Sequence, residues 1–199
     1  MQPGEEPRAQ LESLKRRLEG AGRPSVQHAE CFMSLPDQAK EAYAWLEAGR
    51  RYQYGWTITH LLHQCQPSIL ELGAPWVDAL LEAEWDLRDG YGWCGLMYLL
   101  RSDELDGFDF GCRRFQALLQ RQRDWVDRYN QTVLMVLCRY NPQLLRHRWA
   151  IEMVQRQGGR VKSDGLTALI KLFVGNARRT DFSQRGFRLL WDREKIIKT

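Results

Sequence analysis

Large apolar residues recur along this chain at three- and four-residue steps and almost nowhere in strict alternation, a pattern that predicts helices from end to end. Leu11, Leu14 and Leu18 form one stripe of a first helix over about 7–19, with Pro7 suited to its first turn and Gly20 and Gly22 ending it as a loosely attached arm. Ser25 is placed to cap a short helix reaching about Met33. Leu35-Pro36-Asp37 opens a stronger one, with Ala39, Ala42, Trp45 and Leu46 expected to face inward and Gly49 to stop it. Thr57 to Gln64 reads as a short buried helix, and Ala74-Pro75 leads into a helix to about Arg88 on the stripe Val77, Leu80, Leu81 and Trp85.

Trp93 to Arg101 reads as a compact apolar helix, followed by an acidic loop over 102–109. The longest pattern then runs through Phe115, Leu118, Leu119, Val126, Tyr129, Val133 and Leu137, predicting one helix from about Phe110 to Tyr140 with a bend near Asn130. Pro142 starts the next helix, which Gly158-Gly159 ends. Ser163 or Asp164 caps another, through Leu166, Leu169, Ile170 and Phe173 to Gly175-Asn176, and Asp181 or Ser183 caps the last, through Leu189, Leu190 and Trp191. The expected fold is all-α, an irregular multi-helix bundle of roughly nine helices, with no internal repeat evident at the periods of common helical solenoids. Its expected parts are an N-terminal arm (1–24), an acidic helical subdomain (25–109) and a basic one (110–199), packed as one unit.

Composition agrees with a packed core: 44% of the 199 residues are hydrophobic and 11% aromatic, and the eight tryptophans are spread over most of the chain, where large rings anchor packing. The longest apolar run, Val133 to Cys138, is far too short to cross a bilayer, and the polar, acidic beginning has no apolar segment behind it. Cys31, Cys65, Cys94, Cys112 and Cys138 are odd in number, widely spaced and free of any Cys-x-x-Cys, the usage of a reducing compartment. A cytoplasmic protein with no membrane partner is expected.

Charge changes the picture. Residues 1–110 carry 10 lysines and arginines against 18 aspartates and glutamates, whereas residues 111–199 carry 19 against 7, so a net charge of +4 conceals an acidic front and a basic back. Fifteen of those 19 cations are arginine, whose planar fork matches phosphate oxygens two at a time. Arg114, Arg121 and Arg128 repeat every seven residues, which on one helix gives a cationic stripe broadened by Arg113 and Arg123. Arg160 and Lys162 sit in a glycine-bounded turn, Arg178 and Arg179 in the last loop, and Arg185 and Arg188 on the final helix. These eleven residues are the candidate contacts to nucleic-acid backbone, of either type, without base readout. Glu82, Asp86 and Asp89, at i, i+4 and i+7, are the candidate docking face for a protein partner or a second copy.

Candidate chemistry narrows little further. His60, His63 and Cys65 cluster, but without the Glu and the i, i+4 histidines of a zinc protease helix or a fourth ligand at short spacing, so no metal is assigned. Gln157-Gly-Gly-Arg160-Val-Lys162-Ser163 resembles a phosphate loop only superficially, because Val161 and not glycine precedes the lysine. No serine lies in a nucleophile elbow and no cofactor fingerprint occurs. The expected function is a non-enzymatic, cofactor-free helical subunit of a larger complex that touches nucleic acid through its basic half. The alternative is an adaptor binding proteins alone, through the acidic helix and the aromatics around Tyr52, Tyr54 and Trp56.

Overall fold

In the computed structural model, which describes residues 5–19, 25–176, 178 and 180–195, the chain is helical, with two isolated bridges as its only β pairing among the described residues. It divides into two units, Met1–Leu118 and Leu119–Thr199. The first contains α1 (Glu5–Glu19), α2 (Val26–Met33), α3 (Asp37–Leu46), α4 (Ile58–Cys65), α5 (Pro75–Glu84) and α6 (Gly95–Arg101). The helix α7 (Arg113–Gln122) crosses the division, and the second unit contains α8 (Val133–Tyr140), α9 (Arg148–Gln157), α10 (Ala168–Asn176) and α11 (Arg185–Lys195).

The helix expected from Phe110 to Tyr140 is two helices, and the reason is local chemistry. Asp127 turns its carboxylate onto the N–H groups of Tyr129 and Gln131 at 2.8 Å each, and Asn130 adopts a left-handed φ of 61°. Aspartate and asparagine offer the backbone bonds that compete with a helix, so the chain reverses at 126–132 although its apolar period runs on. The helix expected to reach Arg88 likewise stops at Glu84.

That reversal is one of four alike among the described residues, and here the structure corrects the expectation that the chain holds no internal repeat. In each, the first residue's N–H donates to the fifth residue's carbonyl and the fourth residue's N–H donates back to the first carbonyl. The turns are Tyr52–Trp56, Asp89–Trp93, Asp127–Gln131 and Lys162–Leu166, with all eight bonds at 2.8 to 3.0 Å. The fourth residue is left-handed every time (Gly55, Gly92, Asn130, Gly165), recurring at spacings of 37, 38 and 35 residues. This is the three-residue hairpin loop that requires a residue tolerant of positive φ at its close.

Each turn leads through Thr57, Cys94, Thr132 or Thr167 into a short inner helix (α4, α6, α8, α10), and an outer helix follows. Within the first unit α2 packs on α4 and α4 on α6, while α3 packs on α5; within the second α8 packs on α10 and α9 on α11. Inner helices therefore stack on inner and outer on outer. Successive turns are joined by one equivalent bond in both units: Gly90 N–H donates to the Tyr54 carbonyl at 2.6 Å, and Ser163 N–H to the Tyr129 carbonyl at 3.0 Å. The first approach is so close that a Cβ on Gly55 would lie 2.8 Å from the Gly90 nitrogen. The helix α1 covers the first unit's beginning, packing on α2 and α3 with Leu11, Leu14 and Leu18 buried.

The inner helices α4, α6 and α8 are buried along nearly their whole length, so their first N–H groups lie away from water; for α4, α8 and the part-buried start of α10 the last turn of the outer helix supplies an acceptor. In the first unit the buried Glu84 carboxylate accepts from Thr59 N–H (3.0 Å), Thr59 hydroxyl (2.6 Å) and Gly49 N–H (2.8 Å). In the second, Gln157 Oε1 accepts from Leu134 N–H at 3.1 Å, and Glu194 accepts from Leu169 N–H at 3.0 Å and from the Thr167 hydroxyl. Glu84, Gln157 and Glu194 stand 27, 25 and 27 residues after Thr57, Thr132 and Thr167. Replacing Glu84 by alanine orphans three donors, and a loss of about 3 kcal/mol is expected in chemical denaturation, against under about 0.5 kcal/mol for the exposed neighbour Glu82→Ala.

Candidate interaction surfaces

The third residue of each turn projects from its tip, and in three of four it is tyrosine. Tyr54, Tyr91 and Tyr129 are 52%, 38% and 42% exposed. In the first unit the Tyr54 and Tyr91 rings lie 6.1 Å apart at 32°, held in step by the bond between their turns. Tyr54 itself carries a φ of 62°, a left-handed conformation that a bulky residue adopts at a cost. In the second unit Arg128 lies over the Tyr129 ring at 4.7 Å and donates to its hydroxyl at 2.6 Å. Lys162 approaches the same ring at 5.5 Å while pairing with Asp164 at 2.6 Å. Of the aromatics expected around this first turn, Tyr52 and Trp56 are core: the Tyr52 hydroxyl bonds that of Tyr43 at 2.9 Å, and Trp56 is buried.

The arginines expected to form one stripe have different fates. Arg114 is committed to the first unit's own packing: its guanidinium grips both Asp78 carboxylate oxygens at 2.7 and 2.8 Å and bonds the Leu72 carbonyl. That guanidinium holds the Asp78 carboxyl below its usual pKa range. Arg113 and Arg121 are exposed on α7, but Arg128 belongs to the turn beyond it, so the seven-residue spacing does not carry the stripe through. Arg123 is half-buried, 3.8 Å from Asp124, which Arg156 also approaches at 3.6 Å. Arg160, Arg178, Arg185 and Arg188 are exposed, Lys162 is half-buried, and Arg179 lies outside the described residues.

The acidic face is likewise redistributed, because α5 ends before it. Glu82 and Asp86 are exposed, but Asp89 is buried as the first residue of its turn. Its carboxylate accepts from Tyr91 N–H, Trp93 N–H and the Tyr98 hydroxyl at 2.8 Å each. It occupies the place of Asp127 in the second unit and shapes backbone, leaving no free oxygen edge for a partner. Beside it Tyr98 is pushed far above the ordinary phenol range by burial and then by the Asp89 charge.

Two apolar features lie outside these expectations. Trp45 and Leu46, expected to face inward, are 77% and 79% exposed at the end of α3, because Tyr43 and Ala44 take the inner side. In the second unit Phe173, Phe182, Phe187 and Trp191 line an open groove of about 500 Å³ with Arg188 and Asp192 at its edge. Phe173 and Phe182 stack at 6.1 Å and 20°.

The His60–His63 cluster is interior, and among the described residues no three His, Cys, Asp or Glu side chains are grouped to hold a metal. His60 Nδ1 accepts the Thr57 N–H at 3.0 Å, closing the start of α4, while neither ring nitrogen of His63 makes a hydrogen bond of normal geometry. No described helix is long and apolar enough to cross a membrane.

No protein-family model matches this chain, and no curated protein matches its sequence. The turn tips were nonetheless written in the sequence. Tyr54-Gly-Trp-Thr57, Tyr91-Gly-Trp-Cys94, Tyr129-Asn-Gln-Thr132 and Asp164-Gly-Leu-Thr167 align without a gap, and the signal to find them was the left-handed residue two places before Thr or Cys rather than any apolar period.

Burial pushes His60 down to about 3 and His63 to about 4, so both are neutral in the folded protein at ordinary pH. Below about pH 6.5 the unfolded chain takes up protons that the folded chain refuses, and stability falls by about 1.4 kcal/mol per pH unit for each histidine until the folded values are reached. The denaturation midpoint of the first unit is therefore expected to be level above pH 6.5 and to drop steeply from there towards pH 4. His63→Leu, which removes that buried titratable ring, should remove one proton's share of that slope.

Proposed function

We propose that this chain is a non-enzymatic repeat scaffold that holds a protein partner at the turn tips of its first unit, with Tyr54 and Tyr91 as the leading contacts and Tyr129 the same position within the second unit. The observation that carries the reading is the Tyr54–Tyr91 pair, two exposed rings 6.1 Å apart at the same position of successive bonded turns, a position that is tyrosine again and exposed at Tyr129 in the second unit. A turn followed by two helices is also the build of ankyrin-type repeats, and stacked repeats present an extended surface to partners. Tyrosine and arginine are the residues that dominate such contacts, since they combine area, a polar tip and few rotors. The shifted titratable groups His60, His63, Tyr43 and Tyr98 are buried within the first unit's packing, which supports a binding role over a catalytic one.

A second reading, contact with nucleic-acid backbone as part of a larger complex, is supported by the cations of the second unit. Arg160, Arg178, Arg185 and Arg188 are exposed there, and Arg128 and Lys162 flank the Tyr129 ring. Each phosphate so neutralised would release counterion and add to the salt dependence without selecting sequence. Arg114 has no part in it, being held by Asp78.

A photoreactive side chain placed at 54, 91 or 129 in cells tests both readings, with the exposed position 82 as control. Protein adducts at the turn tips and few at the control are expected; adducts that nuclease destroys would transfer the conclusion to nucleic acid, and equal yields at all four positions would overturn it. With purified protein and labelled RNA or DNA, the second reading expects binding that weakens with salt, and Arg185→Ala with Arg188→Ala should lower the magnitude of the log–log slope by about 2.

A further inference from the structure

The two exposed apolar features named above are complementary in shape class and in charge. On α3 the solvent side carries Asp37, Glu41 and Trp45 at four-residue steps, with Leu46 next to the indole, and all four are exposed; Asp37, 76% exposed in its side chain, also pairs with Lys40 at 3.2 Å. That line puts one large ring at the end of a row of carboxylates, at about 6 and 12 Å along the helix axis from it. In the second unit the groove is lined by aromatic rings and α11 contributes Phe187, Arg188, Trp191 and Asp192; along α11 Arg188 and Arg185 lead away from Trp191, with Asp192 at the edge and Asp181, next to Phe182, within the reach of the Arg188 charge. Arg188 and Arg185 are exposed and three residues apart, about 4.5 Å along the axis. With α3 running back along α11, a ring seated in the groove would bring the row of carboxylates over these arginines.

Exposure of this kind is not incidental surface. Single apolar residues at the surface need no explanation, but Trp45 and Leu46 are neighbours, each over three-quarters exposed, and the groove adds Phe173 on α10 and Phe182 in the loop after it, at 47% each. Within each unit the stacking contacts of the repeat leave these residues out, since α10 packs on α8 and α11, and α3 on α1 and α5.

We infer that the chain associates head to tail with a second copy of itself, the α3 face of one copy entering the aromatic groove of the next, with Trp45 as the anchor and Asp37 and Glu41 opposite Arg185 and Arg188. The occupant is a second copy because the chain itself carries both halves of the complement: the acidic front bears the exposed ring and the basic back bears the groove. The contact is heterologous, using two different patches, so each copy that gives its α3 face still offers its groove and association continues beyond a pair unless the rotation closes a ring. The mode is a helix laid in a groove with an apolar anchor, strengthened by opposite charge and therefore weakened by salt. This surface is separate from the turn tips and stands or falls independently of them.

Sedimentation velocity of the purified full chain over a concentration series, at low and at moderate salt, gives the first measurement. The mean mass is expected to rise with concentration and to fall at higher salt. Trp45→Glu and Arg188→Glu alter exposed side chains, so circular dichroism and melting temperature should match the parent, and each alone is expected to weaken association at least tenfold. The mixture decides the geometry: Trp45→Glu retains a working groove and Arg188→Glu a working α3 face, so an equimolar mixture should form dimers and stop there. A parent chain that is monomeric throughout overturns the proposal. So does association that neither substitution weakens, or a pair of association-dead variants that fail to complement one another, which would point to a self-complementary contact elsewhere.

Discussion

The constraint on which this architecture rests is the burial of helix N-termini. Inner helices such as α8, buried from Val133 to Cys138, begin inside the protein, and their first N–H groups have no helical partner and no water. An unanswered donor there costs as much as a large apolar side chain contributes. Glu84, Gln157 and Glu194, each in the last turn or at the end of an outer helix, meet that need. Each thereby fixes how its outer helix returns on the inner one, and the length of chain between turn and acceptor is held nearly constant while the residues between them vary.

The same constraint shapes the turns. A helix that starts buried must be entered by a chain that reverses tightly, and the hairpin loop does so with two backbone bonds and a left-handed fourth residue, joined in the first turn by the left-handed Tyr54. Asp89 and Asp127 add a carboxylate that takes the N–H groups inside the loop, whereas the other turns begin with Tyr52 and Lys162. Once the backbone of the tip is fixed by these bonds, its third residue has nowhere to point but outward. A tyrosine there is displayed on rigid ground, with less entropy to lose on contact than a side chain on a mobile loop would have.

Charge was a weaker guide than geometry. The arginine fork that suits phosphate suits carboxylate equally well, and Arg114 found Asp78 within its own unit. Asp89 likewise found three donors within its own unit. A formal charge in a sequence names a residue with electrostatic need, and only the folded neighbourhood says whether that need is met internally or is left for a partner.

Much of this protein was legible without coordinates: the all-helical class, the starts of α2 and α3 at Ser25 and Asp37, and the burial of Leu11, Leu14 and Leu18 follow from caps, prolines and apolar spacing, which act over a few residues. The repeat was present too, in four aligned tetrads, but apolar periodicity passes over it, because Asp127 to Asn130 keep the helical step while their side chains break the helix. What tertiary structure alone decided was which face of each helix meets water and which charges remain unspent. Trp45 is outside because Tyr43 won the interior through its ring contact with Phe32 and its bond to Tyr52, and Arg114 is spent because Asp78 lies across from it. Those outcomes depend on partners tens of residues away along the chain, and a local pattern of polarity carries no record of them.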